Sequence, residues 1–224
     1  MSAIQIDKSI SSLIPQFKLG FISYHSIVIS DSPQMLKGRL QFFQETLQVD
    51  LEEKPLTAFS GVAEWRDVFK ICKIDPSKYR PSHEALMRRI KKGNFLPTVQ
   101  SAVDLNTFFS LQYMIPFGIY DASALKGDIS IRLGEAGEGY DGVNGRFNDM
   151  SGKIITSDEH GPFGSPIVDS RRTSVSTSTT DAIQLIYLKP SMEVEEAEKL
   201  VSAAASMFTQ IHGGELLQAS VINL

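Results

Sequence analysis

Cysteine is almost missing from this chain: Cys72 is the single one in 224 residues. One thiol excludes an intramolecular disulfide and any zinc cluster built on several thiolates, and it fits a reducing, cytoplasmic setting. Positive charge is not in excess either, since 22 Lys and Arg stand against 26 Asp and Glu for a formal net charge of −4. That balance argues against a protein that coats nucleic acid indiscriminately, while leaving room for one local basic patch. No apolar run reaches the ~18 residues a membrane span needs. The opening MSAIQIDKSISSLIPQFKLGF lacks the basic start and unbroken apolar core of a signal peptide. The four histidines, His25, His83, His160 and His212, fall in no metal-ligand spacing, so neither metal nor cofactor is expected. The glycines from Gly134 to Gly145 lack the Gly-Lys-Ser/Thr ending of a phosphate loop, and Gly164-Ser165-Pro166 lacks the second glycine of a nucleophile elbow.

What is present is an ordinary globular composition, 42% hydrophobic and 21% charged, with no internal repeat and no low-complexity linker. One domain over residues 1–224 is expected. Phe21 to Ile29 is β-branched and aromatic, the pattern of a buried strand. Ser32-Pro33 offers a helix start, and Leu36, Leu40, Phe43 and Leu47 then recur at helical spacing. A helix over Ala63–Cys72 turns Trp65, Val68 and Phe69 inward and ends before Asp75-Pro76. Further helices open at Arg80-Pro81-Ser82, closing at Gly93, and near Ser101. After Asp121 the period shortens towards two. Strands are expected at Asp128–Leu133, Lys153–Thr156 and Ala182–Leu188, the last apolar enough to be central. Five glycines among the fifteen residues 134–148 mark turns. Ser191 is placed to cap a long helix that Gly213-Gly214 ends, and Leu216–Leu224 supplies a closing strand. Helices early and strands late give an α+β fold.

Two basic clusters are the candidates for chemistry. Arg80, Arg88, Arg89, Lys91 and Lys92 would attract a phosphate backbone, with salt-dependent binding. Cations near a helix C-terminus also simply complement its dipole. Asp169-Ser170-Arg171-Arg172-Thr173 could clamp a carboxylate or phosphate, or form a surface turn with internal ion pairs. Asp158-Glu159-His160-Gly161 could supply an acid/base pair, though the same composition makes an ordinary turn, the reading favoured; His83 reads as a residue beside a helix cap, and Cys72 as an inert core thiol.

The segment Ala102–Asp121, AVDLNTFFSLQYMIPFGIYD, resembles one in the tRNA-binding and editing module (B3/B4) of the bacterial phenylalanyl-tRNA synthetase beta subunit. That segment has the form VVD, a hydrophobic residue, TNYV, an apolar stretch, then GQPLHAFD. Asp104 matches its aspartate, Pro116 its proline, and Tyr120-Asp121 its closing aromatic-acid pair. Arg80-Pro81 lies at the right distance upstream, and the resemblance covers roughly Arg80–Leu188. It implies a layered β-sandwich or sheet of the editing-domain type flanked by helices. It also implies a free-standing relative that acts on a charged tRNA in trans, or else a pocket reused for a small amino-acid-like ligand. The family's editing histidine falls on Gly118, a polar position that is usually asparagine on Thr107, and its editing glutamate near Ser174. Inherited ester hydrolysis therefore loses its water-positioning groups. The ligand pocket is expected where Asn106, Thr107 and Gly118 face the turn of Asp169, Ser170, Arg171, Arg172, Thr173 and Ser174.

Overall fold

The computed structural model describes residues 3–223. In chain order the elements are β1 (Ile4–Ile6), α1 (Lys8–Ser11), β2 (Leu19–His25), α2 (Gln34–Glu53), α3 (Ser60–Ile71), α4 (Ser82–Lys91), α5 (Ser101–Tyr113), β3 (Phe117–Asp121) and β4 (Ile129–Leu133). They continue as β5 (Gly139–Asp141), β6 (Phe147–Asp149), β7 (Ile154–Asp158), β8 (Gly161–Gly164), β9 (Ala182–Tyr187), α6 (Val194–His212) and β10 (Glu215–Ile222). Helices and several sheets share one α+β architecture. The closing strand matches its expectation up to Ile222, and Leu224 lies outside the described residues.

One sheet runs β10-β2-β9-β3, antiparallel throughout, so the apolar AIQLIY strand β9 is internal. A second runs β1-β4-β7-β8, with β1 parallel to β4, and β5 pairs with β6 alone. The two larger sheets meet where Thr156 Oγ1 and the Tyr187 hydroxyl lie 2.8 Å apart, and where Tyr120 and Phe163 pack edge-on with centroids at 4.9 Å. On the opposite side α6 lies over β10 and β2 and α5 over β3, with α2 and α4 packed outside α5. Trp65, Val68 and Phe69 turn inward from α3, as do Leu36, Leu40 and Leu47 from α2, the amphipathic spacing read from the sequence.

A buried polar chain ties the layers. The Tyr24 hydroxyl donates to Gln184 Oε1 at 2.9 Å, Gln184 Nε2 donates to Asn106 Oδ1 at 2.9 Å, and Asn106 Nδ2 donates to the Phe117 carbonyl at 3.0 Å. It joins β2, β9, α5 and β3, and leaves those buried amides satisfied.

Two local expectations need correction. Ser32 does not cap α2: its hydroxyl donates to Asp104 Oδ2 at 2.5 Å, and Pro33 occupies the cap position without a side-chain bond. Ser191 does not cap α6, whose cap is Glu193; its N–H and hydroxyl instead donate to the Glu64 carboxylate at 2.6 and 2.7 Å. Both hydroxyls donate to carboxylates, a charge-assisted bond that fixes them away from the helix starts. His83 lies in the first turn of α4, two residues past the Pro81 cap, as read from the sequence. It is fully buried, and neither ring nitrogen reaches a hydrogen-bond partner among the described residues.

Asp104 ties α5 to the chain before α2 through Ser32, and its Oδ1 also accepts from Val99 N–H, just ahead of α5, at 2.8 Å. Asp104→Ala removes the acceptor of one buried donor, Ser32, and one part-buried donor, Val99 N–H, and should lower unfolding free energy by about 2 kcal/mol in a denaturant titration; a change below ~0.5 kcal/mol would contradict that role. Burial pushes the His83 imidazole down to about 3, with the Gly61 backbone pulling only weakly the other way. Because the folded value lies below the unfolded one of about 6.5, stability is lost as pH falls from about 6.5 towards 3, by up to ~1.4 kcal/mol per pH unit. His83→Gln should flatten that slope in pH-dependent unfolding; an unchanged slope would assign it to other groups.

Candidate functional site

A cleft of about 570 Å³ opens between α4, α5, β3 and the segment that follows β8. Residues 165–175 reach it because their backbone is stitched in place. Ser165 Oγ accepts from the Ile167 and Val168 N–H groups, at 3.2 and 3.1 Å. The Tyr140 hydroxyl donates to the Val168 carbonyl at 2.6 Å. Ser170 N–H donates to the Phe163 carbonyl at 2.8 Å, and Val143 N–H to the Asp169 carbonyl at 2.9 Å. An isolated bridge between Tyr120 and Ser174 then lays the segment along the β3 edge.

The walls are apolar: Leu86 of α4, Val103 of α5, Phe117 and Ile119 of β3, with Val175 closing one side. Val99 and Val143 also line the cleft while remaining 66% and 57% exposed, so its mouth presents apolar side chains to incoming ligand. The charged residues lining it are Arg89 and Asp169.

Asp169 is the electrostatic centre. The buried Tyr120 hydroxyl donates to its Oδ1 at 2.6 Å. Burial pushes the carboxyl up to about 7, although the residue keeps part of its surface in the cleft, while the Tyr120 hydroxyl and the Ser165 backbone pull the value down. Burial, reinforced by the Asp169 charge, raises Tyr120 far above the usual phenol range, so it stays a neutral donor.

Gly118 explains how the phenol fits. A Cβ at Gly118 would overlap the Tyr120 hydroxyl, and so would one at Gly164. The ring therefore lies across two glycines, one from each sheet. Strand alternation turns Phe117 and Ile119 to the cleft and Gly118 and Tyr120 to the other face. Gly118 thus does not line the cleft as expected. The space its side chain would take is filled by the Tyr120 hydroxyl.

The structure brings Asn106, Thr107, Asp169 and Ser174 into one cleft and adds Ser82, Ser110 and Arg89 to it. Asn106 has both amide atoms engaged in the buried polar chain, so it shapes the wall. Ser170, Arg171 and Arg172 line a different depression, with His160 and Asp141. Arg172 is committed there to Asp158, with N–O distances of 2.8 and 3.1 Å, and to the Ala124 carbonyl at 3.0 Å. Thr173 is fully buried and lines neither.

The basic cluster also divides. Arg88 Nε pairs with the buried Glu84 at 2.8 Å, beside Arg66 at the same distance. Lys91 donates to the Leu51 carbonyl at 2.7 Å and Arg80 to the Ser77 carbonyl at 2.5 Å. Arg88, Lys91 and Lys92 line a separate hollow. Tyr120 is the site residue that composition and spacing missed; its signal was the Gly-x-Tyr alternation of β3.

A family model described as the B3/4 domain matches residues 64–211, beyond the Arg80–Leu188 stretch that carries the resemblance in the sequence. The uncharacterized protein YhzB of Bacillus subtilis is 34% identical over 94% of this chain and 95% of its own length. The phenylalanine–tRNA ligase beta subunit of Zymomonas mobilis is 31% identical over 54% of this chain, which spans only 16% of that subunit. Among solved structures, an N-terminal fragment of the Pyrococcus horikoshii phenylalanyl-tRNA synthetase beta subunit aligns with 98% of this chain and 50% of its own, at 11% identity and a TM-score of 0.46.

The wedge between the glycines generates a direct check. Gly118→Ala should destabilise the fold by about 1–3 kcal/mol, the usual overpacking cost, by pushing the phenol off Asp169. Thermal unfolding should show a fall of several degrees; an unchanged midpoint would mean the ring has room to move.

Proposed function

The chain belongs to the B3/4 domain family, and from that premise we propose that it recognises the aminoacylated end of a charged tRNA, holding the amino-acid part in the cleft between α4, α5, β3 and Asp169. The observation that carries this reading is the convergence of Asn106, Thr107, Asp169 and Ser174 on one apolar cleft with Arg89 beside them. Its volume lies in the range that encloses a small organic ligand. Exposed valines suit an apolar side chain, Arg89 suits a phosphate of the terminal nucleotides, and Asp169 suits a polar group on the amino acid.

Recognition rather than hydrolysis is the activity proposed. The positions that match the family's editing histidine and glutamate are Gly118 and Ser174, and neither supplies an acid or base. Ser174 Oγ is itself donating to the Arg171 carbonyl at 2.9 Å. A second reading, a free amino-acid-like ligand, draws on the internal engagement of Arg80, Arg88 and Lys91, which leaves a thin surface for a polynucleotide.

Filter binding with a panel of aminoacyl-tRNAs, each followed for ester loss, tests both. Charged tRNA should be retained at low salt, more weakly as salt rises, and about tenfold more weakly with Arg89→Ala, which removes about one charge-assisted contact. Ester loss should not exceed the uncatalysed rate. No retention of any charged tRNA at low salt would overturn the proposal, and a free amino acid raising the melting temperature in its place would select the second reading.

A further inference from the structure

Four features of the cleft floor point to the chemistry of its ligand. Asp169 is its sole anionic lining residue, and Arg89 its sole cationic one. Valine, leucine, isoleucine and phenylalanine share the lining with the neutral polar side chains of Ser82, Gln100, Asn106, Thr107, Ser110 and Ser174, so a cation paired with the carboxylate has to come from the ligand or from Arg89. The carboxylate cannot swing away, because the Tyr120 hydroxyl holds Oδ1 at 2.6 Å and Val143 N–H holds the Asp169 carbonyl at 2.9 Å. Tyr120 is itself fixed by Gly118, Gly164 and the Phe163 ring. No side chain other than Tyr120 bonds to the carboxylate among the described residues. This is a preorganised anion with no cation of its own, and orientation ahead of binding is what makes such a group selective.

We propose that Asp169, positioned by Tyr120, is the receptor for a primary ammonium group of the ligand, so that the cleft selects amino acids or aminoacyl esters with a free α-amino group over their N-blocked forms. The inference rests on reading the cleft as an aminoacyl pocket. Tyr120 is the positioning residue, and its hydroxyl takes the room that a side chain at position 118 would need. Apolar walls then receive the side chain, and Arg89 is left for a carboxylate or phosphate.

The pairing carries its own pH signature. The groups facing the carboxylate are the Tyr120, Tyr140 and Tyr187 hydroxyls, all held neutral by burial, and Arg89 across the cleft. With the Asp169 carboxyl at about 7 when empty, ammonium binding must strengthen as pH rises through that value. It weakens again when the ligand's amine loses its proton, near ~8 for an α-amino group.

The probes are the methyl esters of phenylalanine, tyrosine and leucine with their N-acetyl counterparts, measured by calorimetry from pH 5.5 to 9. Aminoacyl-tRNA and N-acetylaminoacyl-tRNA, compared by filter retention, form the second arm. At least one free-amine probe should bind about tenfold or more tightly than its acetylated form, the scale of losing one buried charge pair. Asp169→Asn should abolish that preference, and Tyr120→Phe should keep the fold while moving the lower limb of the profile to higher pH. Equal binding of free and acetylated probes, or a preference that survives Asp169→Asn, would overturn the assignment. Charged tRNA retained regardless of acetylation would remove this inference and leave the proposed function standing. Failure of every ester and every charged tRNA to bind would remove both.

Discussion

One hydrogen bond organises the site: the buried Tyr120 hydroxyl donating to the Asp169 carboxylate at 2.6 Å. It links β3 of one sheet to the segment that leaves β8 of the other. A phenol can reach Asp169 only because residues 118 and 164 carry no side chain. The neutral Tyr120 donor favours the ionised form of Asp169 against the burial that pushes its carboxyl up to about 7. Two glycines, a tyrosine and an aspartate thus form one unit, and altering any of them disturbs the others.

The same constraint relates this chain to its family. In the motif Ala102–Asp121 resembles, the position of Gly118 is a histidine and that of Tyr120 a phenylalanine. Here the imidazole is gone and a hydroxyl is gained two residues later on the same strand face. Both positions lie on the strand face turned from the cleft, where Gly118 leaves the room that the Tyr120 hydroxyl takes.

Much of the architecture was legible because it rests on local patterns. The helical spacing of Leu36, Leu40 and Leu47, the apolar run of β9 and the Gly213 stop at φ 64° are all readable one element at a time. Ser32 and Ser191 misled because their acceptors, Asp104 and Glu64, are distant in sequence. The site was half legible for a similar reason. Asp169–Ser174 reads as one cluster, but the short turn at Arg171–Thr173 divides its residues among different surfaces. Asp169 and Ser174 reach the cleft, Arg171 and Arg172 the neighbouring hollow, and Thr173 the core. Gly118 faced the other way because strand alternation outranks motif position. Only the three-dimensional register shows that a glycine's empty space is filled by the tyrosine two residues on.

The basic helix α4 carries a related lesson about charge. Its density of cations suggested a polynucleotide surface, yet Arg88 neutralises Glu84 within the fold and Lys91 satisfies a carbonyl of α2. Arg89 is the member of that cluster that lines the cleft. The most direct measurement of the account is a structure determined with a non-hydrolysable aminoacyl-adenosine, its ester replaced by an amide. The account predicts the α-ammonium within hydrogen-bond distance, ~3 Å, of the Asp169 carboxylate, with the amino-acid side chain between Val99 and Val143. An amino group turned to solvent, or an analogue seated at the Arg171 hollow instead, would contradict it.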